Sequence, residues 1–371
     1  MRHTCFHSFH VDHQAKLVEF AGWEMPISYG SIHQEHRQVR EAAGLFDVSH
    51  MGRIEIAGRH ARRLLERILT RRISDMVECS CRYSLICNDH GGTIDDVIVY
   101  RFENHWLLVV NAANRQAVLD HLQVQIRDLT VRITDQTSET AMVALQGPKV
   151  MGHIGKFSSE VPTLKRYHFC LKNLLVLKMT ISRTGYTGED GVEVILPARM
   201  ASQAMKLLLK DSGTDDSMSL IKPTGLGARD TLRMEAGMPL FGHELGEQID
   251  PLSAGLGFAV SLDKDEYDNG EPFIGQNALK KIAAEGPKQK LVGLKIVGRR
   301  TARQGMKVIC ADKSIGHITS GCLSPTLGYP IAMAYVDAQF SEEGGQVLVD
   351  LGTKQIDAAI VLLPFYKRSS A

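Results

Sequence analysis

Gly91-Gly92-Thr93-Ile94-Asp95-Asp96-Val97-Ile98-Val99-Tyr100, then Glu103-Asn104-His105, then Trp106-Leu107-Leu108-Val109-Val110: two β-prone runs joined by a short polar turn decide the fold class. Branched and aromatic residues favour extended backbone, and the polar interruption predicts an antiparallel hairpin. Outward from this hairpin, further strands are expected at 52–57, 83–87, 131–134, 141–145, 174–182 and 192–196. Helices are expected at 32–43, where Gly44 reads as the stop, and at 61–69, where Leu64, Leu65 and Ile68 form one stripe. More helices are expected at 112–122, 200–209 and 228–235. Hairpins mixed with helices favour an α+β fold over a doubly wound parallel sheet.

At Ala284-Glu285-Gly286-Pro287-Lys288 the texture changes to a polar linker. Beyond it helical periodicity disappears, and short strands at 290–296, 306–309, 315–320, 331–336, 346–349 and 355–362 predict a β-barrel or sandwich. The expected division is therefore 1–284 and 285–371.

The chain has 371 residues, 44% hydrophobic and 23% charged, which suits an ordinary globular protein of two or three domains. With 43 Lys and Arg against 42 Asp and Glu, the net charge of +1 argues against a general grip on nucleic acid or an acidic membrane. The longest apolar runs are far too short to span a bilayer, and no signal-peptide core follows Met1, so a cytoplasmic location is expected. Seven scattered cysteines fit reduced thiols better than a disulfide framework.

Metal and nucleotide motifs fail on spacing. Cys79, Cys81 and Cys87 lack a second ligand pair, and His33-Gln34-Glu35-His36 has the wrong interval for a two-histidine zinc helix. Asp263, Asp265 and Asp268 form no calcium loop, because the required glycine falls on an aspartate. Gly225-Leu226-Gly227 begins like a dinucleotide fingerprint, but Asp230 stands where the third glycine belongs. The His-rich first 50 residues, with His3, His7, His10, His13 and His50 among them, can bind metal adventitiously, but scattered surface histidines are the default reading.

Three places carry polar groups in apolar surroundings. Neighbouring side chains on a strand face opposite ways, so at most one of Asp95 and Asp96 enters a given pocket. Periodicity does not choose between them: Ile94, Ile98 and Tyr100 share a face with Asp96, and Val97 and Val99 share one with Asp95. A solvated turn is the competing reading. In Ser182-Arg183-Thr184-Gly185-Tyr186-Thr187-Gly188-Glu189-Asp190-Gly191-Val192-Glu193, three glycines permit close approach to a ligand and Tyr186 can stack on it. Glu193 either faces water on an edge strand or is buried, where a pterin or guanine would satisfy it. Finally, Gly225 to Asp230 opens a helix, from which Arg229 can hold an anionic or carbonyl group.

At these residues the chain resembles the aminomethyltransferase, or T-protein, family of the glycine cleavage system. The resemblance runs through Phe20 to Pro26, Gly44 to Gly52, Asp95-Asp96, Val110-Asn111-Ala112, Gln146-Gly147-Pro148, Ser182 to Gly191, Gly225 to Asp230, Thr319-Ser320-Gly321, Ser324 to Gly328 and Pro364-Phe365-Tyr366. It implies a three-lobed cloverleaf of antiparallel sheets with helices around a central folate channel, plus a C-terminal β-barrel. It implies transfer of the methylene of an aminomethyl-lipoyl group on H-protein to tetrahydrofolate, releasing ammonia and leaving dihydrolipoyl H-protein. The family's catalytic aspartate matches Asp96. Its folate-binding positions match Tyr186, Glu193 and Arg229, with Met51, Tyr83 and Asn111 in segments lining the channel. Tetrahydrofolate and lipoylated H-protein are the implied partners, with no metal and no nucleotide. Alternative activities on the same fold are folate-dependent demethylation of a small methylated donor and non-catalytic folate binding. The Cys79-Ser80-Cys81-Arg82 stretch and the His-rich start depart from the family pattern.

Overall fold

The computed structural model describes residues 1–174, 177–208, 220–266, 270–352 and 354–368. The decisive hairpin is present as Thr93–Arg101 paired with His105–Val110, within a five-stranded antiparallel sheet. Its order is Ser80–Cys87, Thr93–Arg101, His105–Val110, Gly52–Ala57, Arg132–Asp135. Helices Ala61–Ile68 and Arg115–Ile126 cover one face. There Leu64, Leu65, Ile68, Val118 and Leu122 bury against Ile54, Ile56, Val97 and Val99.

A second sheet of six strands runs Phe169–Leu174, Leu177–Ser182, Gly191–Pro197, Thr140–Gln146, Ala43–Asp47, Ile221–Pro223. All its pairs are antiparallel except the last, where Ile221–Pro223 lies parallel to Ala43–Asp47. The two sheets meet through a shared core in which Phe46, Met142, Ala144, Phe169 and Ile195 contact Cys81, Tyr100, Leu107 and Val109. Asp96 lies on Thr93–Arg101, in the five-stranded sheet. Past residue 289, six strands close into a barrel around Leu294, Val308, Ile318, Ala334 and Val349. Closure leaves no free edge.

Several expectations shift. The helix expected at 32–43 ends at Glu41, and Ala43–Asp47 is a strand buried along its whole length, because Leu45 and Phe46 enter different cores. The helix expected from 112 starts at Arg115, since the preceding turn holds Asp95. The strand expected at 174–182 is one arm of a hairpin with Phe169–Leu174, its residues 175 and 176 lying outside those described. Leu209 of the helix expected at 200–209 is also outside them, as is Asp268, while Asp265 pairs with Lys280 at 2.9 Å. Helices His7–Asp12 and Gln276–Glu285 and the hairpin Lys16–Phe20 with Trp23–Ser28 carried no clear periodicity and were not anticipated. All seven cysteines are free thiols. Among the described residues, no helix is long and apolar enough to cross a membrane.

Candidate active site

Asp95 and Asp96 divide between the two faces of their strand, as alternation requires, yet one amide joins them. Asp95 is fully buried, taking Asn111 N–H at 3.0 Å, Asn111 Nδ2 at 2.8 Å and Asn114 Nδ2 at 2.7 Å. The Asn111 carboxamide also donates to Asp96 Oδ1 at 2.7 Å, and the Tyr83 hydroxyl donates to Oδ2 at 3.0 Å. The solvated-turn reading is therefore overturned. So is the grouping of Ile94 with Asp96: the strand register shifts between Ile86 and Cys87, and Ile94 packs instead toward the core containing Val97 and Val99.

Burial raises the Asp96 pKa, and the Tyr83 and Asn111 hydrogen bonds oppose it by favouring the charged form. The Asp95 pKa rises through burial and the adjacent Asp96 charge, against its three N–H donors. Tyr83 is held well above its ordinary value by burial and by Asp96, and its ring stacks on exposed Phe258 with centroids 6.2 Å apart.

Glu193 sits on a central strand, buried, and not on a wet edge. A hydroxyl chain supports it: Tyr100 OH to Ser182 Oγ at 3.0 Å, Ser182 Oγ to Thr184 Oγ1 at 2.8 Å, and Thr184 donating to Glu193 Oε2 at 2.5 Å. Arg229, one turn into the helix Leu226–Glu235, stands over the Tyr186 ring with 4.9 Å to the centroid. Tyr186 donates its hydroxyl to the Pro239 carbonyl, and its titration is influenced by Asp96 and Arg229 after burial and Arg233. Burial lowers the Arg229 pKa, while nearby Glu193 and Tyr186 pull it upward.

Two buried polar atoms here have no hydrogen-bond partner, the donor Arg229 Nη1 and the ring nitrogen His50 Nδ1. An unsatisfied buried polar atom costs about 1–3 kcal/mol, so the pair fits a polar ligand that offers Arg229 an acceptor. His50, pushed down to about 4 by burial, is neutral at physiological pH. Met51 lies on the shared core beside Ile98, and the fully buried Arg53 fixes its turn by donating to the Ser49 and Met51 carbonyls.

Asp96, Tyr83 and Asn111 thus form one bonded cluster, and Tyr186, Arg229 and Glu193 a second within electrostatic reach of it. The three glycines serve the protein's own packing. A Cβ on Gly185 would lie 1.9 Å from Gln146 Oε1, and one on Gly191 would lie 2.2 Å from the Leu145 carbonyl; Gly188 has φ +81°. Asp230 points outward to Arg233 at 2.8 Å. Tyr366 covers the Arg40 guanidinium at 4.1 Å, within the contact between the barrel and the rest. Asn114 and His50 were missed as site residues. The repeat of Asn three residues after Asn111 was the available signal for the first, and a lone histidine offered none for the second. On the surface, Arg63 pairs with Glu271 and Arg72 with Asp263, while Arg62, Arg299 and Arg300 are exposed.

The family model described as the GCVT N-terminal domain matches residues 6–264, and that of the glycine cleavage T-protein C-terminal barrel domain matches 289–367. An aminomethyltransferase from Rubrobacter xylanophilus is 44% identical over 99% of this chain and 95% of its own length. One from Geobacillus kaustophilus is 41% identical over the full length of both. The crystal structure of the glycine cleavage system aminomethyltransferase T from Bartonella henselae superposes with a TM-score of 0.89 at 31% identity, covering 99% of this chain and 98% of that one. With both of its parts matched and relatives similar along its whole length, the chain belongs to the glycine cleavage T-protein family of aminomethyltransferases.

Proposed function

We propose that the chain takes the aminomethyl group carried on the lipoyl arm of H-protein and delivers its methylene to tetrahydrofolate, with residues 1–284 forming the folate-binding region and 285–371 the barrel. The observation that carries this reading is the Asp96 carboxylate, half-buried and held by two donors beside the Tyr186, Arg229 and Glu193 cluster.

Glu193 offers its carboxylate to the adjacent N–H groups of a pterin, the Tyr186 ring offers a face for stacking, and Arg229 Nη1 meets an acceptor that the protein lacks. Met51 supplies apolar contact. As ammonia leaves the protonated aminomethyl thioether, positive charge develops on the methylene carbon and its sulfur. A folate amine adds to that carbon, and the C–S bond then breaks as the second folate nitrogen closes on the methylene, its proton going to the dihydrolipoyl thiolate. Asp96 stabilises that charge in a low-dielectric chamber and accepts the proton shed by the attacking folate amine. Tyr83 and Asn111 keep Asp96 ionised and aimed, and Asp95, through Asn111, positions the amide that holds it.

The test mixes purified protein with aminomethyl-loaded H-protein and measures ammonia release with and without tetrahydrofolate. Folate-dependent acceleration is expected. Its absence, together with turnover of a small methylated donor, would establish the demethylase instead.

Tyr83→Phe removes a hydrogen bond that favours the charged form of Asp96 and so raises its pKa further. The acid limb of kcat/KM is expected to move upward by about one pH unit, equivalent to ~1.4 kcal/mol of hydrogen bonding to the carboxylate. A limb that stays in place would assign the titrating group elsewhere.

A further inference from the structure

His3, His7 and Glu24 bring their ligand atoms within 4.8 Å of one another. The His7 Nε2 is 2.7 Å from Glu24 Oε2, and the His3 Nε2 is 3.2 Å from the same oxygen. The two imidazoles stack face to face, centroids 3.8 Å apart and planes within 8°.

The backbone fixes all three donors. Arg2 N–H donates to the Gly22 carbonyl and Glu24 N–H to the Arg2 carbonyl, both at 2.9 Å, which places His3 beside the strand carrying Glu24. Phe6, 1% exposed, anchors the start of the helix His7–Asp12. His3 is 52% exposed and Glu24 26%, so an ion has access.

One histidine suffices to pair a glutamate. Two stacked imidazoles directed at one carboxylate oxygen repel each other when both are protonated. A single divalent cation can replace both protons; because lone pairs in parallel rings do not converge, one imidazole swings out of the stack so that each ring gives the ion a lone pair.

We propose that His3, His7 and Glu24 bind one Zn²⁺ through two imidazole nitrogens and a carboxylate, with water in the fourth position. Tetrahedral zinc with bonds near 2.0–2.1 Å sets donors about 3.3 Å apart, near the two histidine-to-carboxylate separations of 2.7 and 3.2 Å. Two nitrogens with one oxygen suit zinc and disfavour magnesium and calcium, which prefer all-oxygen shells. The ion staples the segment 1–7 onto the hairpin Lys16–Phe20 with Trp23–Ser28. Trp23 from that hairpin packs with Ala112 and Leu226, neighbours of the Asn111 turn and the Arg229 helix. No step of the proposed reaction runs through this ion.

Isothermal titration of the full chain with ZnCl₂ tests this, alongside His3→Ala, Glu24→Gln and, as control, His13→Ala. The wild type and the control are expected to bind one equivalent, and the other two variants to lose that equivalent or weaken it at least tenfold. Co²⁺ loading is expected to give the intense visible bands of a four-coordinate site in the wild type and to lose them in His3→Ala. Absence of zinc binding by the wild type, or unchanged stoichiometry and affinity in His3→Ala and Glu24→Gln, would overturn the proposal.

Discussion

Asp96→Asn is expected to lower folate-dependent ammonia release from aminomethyl-loaded H-protein by about 10²–10⁴-fold, the usual worth of a positioned acid–base group. Asparagine still accepts from Tyr83 or Asn111, but it carries no charge to stabilise a cationic transition state and takes no proton. Its fold is expected to be no weaker, because the substitution removes one of two neighbouring carboxylates whose charges oppose each other. Unfolding midpoints in urea separate the two effects: activity collapses while the midpoint holds or rises. Asp95→Ala should behave in the reverse sense, leaving three buried N–H donors unmatched and lowering the midpoint as well as activity. An Asp96→Asn enzyme within tenfold of wild type would remove Asp96 from the chemistry.

These two aspartates also mark where sequence reasoning ran out. Alternation correctly placed them on opposite faces but could not say which face met the second sheet, because that is set by packing far along the chain: Tyr100 lies with Phe169 and Ile195. Nor could it foresee Asn111 bridging them, a contact that needs a register shift near Ile94 and the adjoining strand end. The barrel strands were legible as β-prone runs bounded by turns, even though Pro330–Asp337 is buried at seven consecutive positions and Lys313–Leu323 runs to eleven residues. Ala43–Asp47 was hidden because Gly44 carries a helix-stop signal while serving in a central strand, where a Cβ would lie 2.5 Å from Val39. Glu193 was legible as a polar intrusion, but its support by Tyr100, Ser182 and Thr184 assembles residues from both sheets.

Glu235→Ala is expected to cost about 3–5 kcal/mol of stability, the penalty for removing one partner from a buried ionic cluster. Glu235 ends the helix Leu226–Glu235 with its side chain fully buried. Its carboxylate accepts from Arg40 Nη2 at 2.8 Å, Thr326 Oγ1 at 2.7 Å, Thr326 N–H at 3.0 Å and Ser324 Oγ at 2.5 Å, and lies 3.1 Å from His36 Nε2. Ser324 and Thr326 follow a barrel strand, whereas Arg40 and His36 come from the helix Ile32–Glu41, so one carboxylate joins three parts of the fold. Burial alone would raise its pKa, but His36, Ser324 and Arg40 bring it down to about 2. A folded pKa below the unfolded ~4.3 stabilises the protein above that pH, and the contribution is lost as pH falls toward 2. Urea titrations should therefore show a wide gap between wild type and Glu235→Ala at pH 7 that narrows between about pH 4 and 2. A gap under about 1 kcal/mol at pH 7 would reduce the cluster to an ordinary surface pair.

The parallel pairing of Ala43–Asp47 with Ile221–Pro223 bears on how the chain is made. A strand translated early must wait for one translated much later, while the ribosome adds the intervening segment at ~5–20 residues per second. For on the order of ten seconds one side of Ala43–Asp47 has no partner, and an unpaired apolar strand invites association with other chains. The barrel strands run from Gln289 to Val361 and find their partners among themselves. Chaperone dependence during biosynthesis is accordingly expected to concentrate in the interval before Pro223 emerges and to be slight once the barrel is being translated.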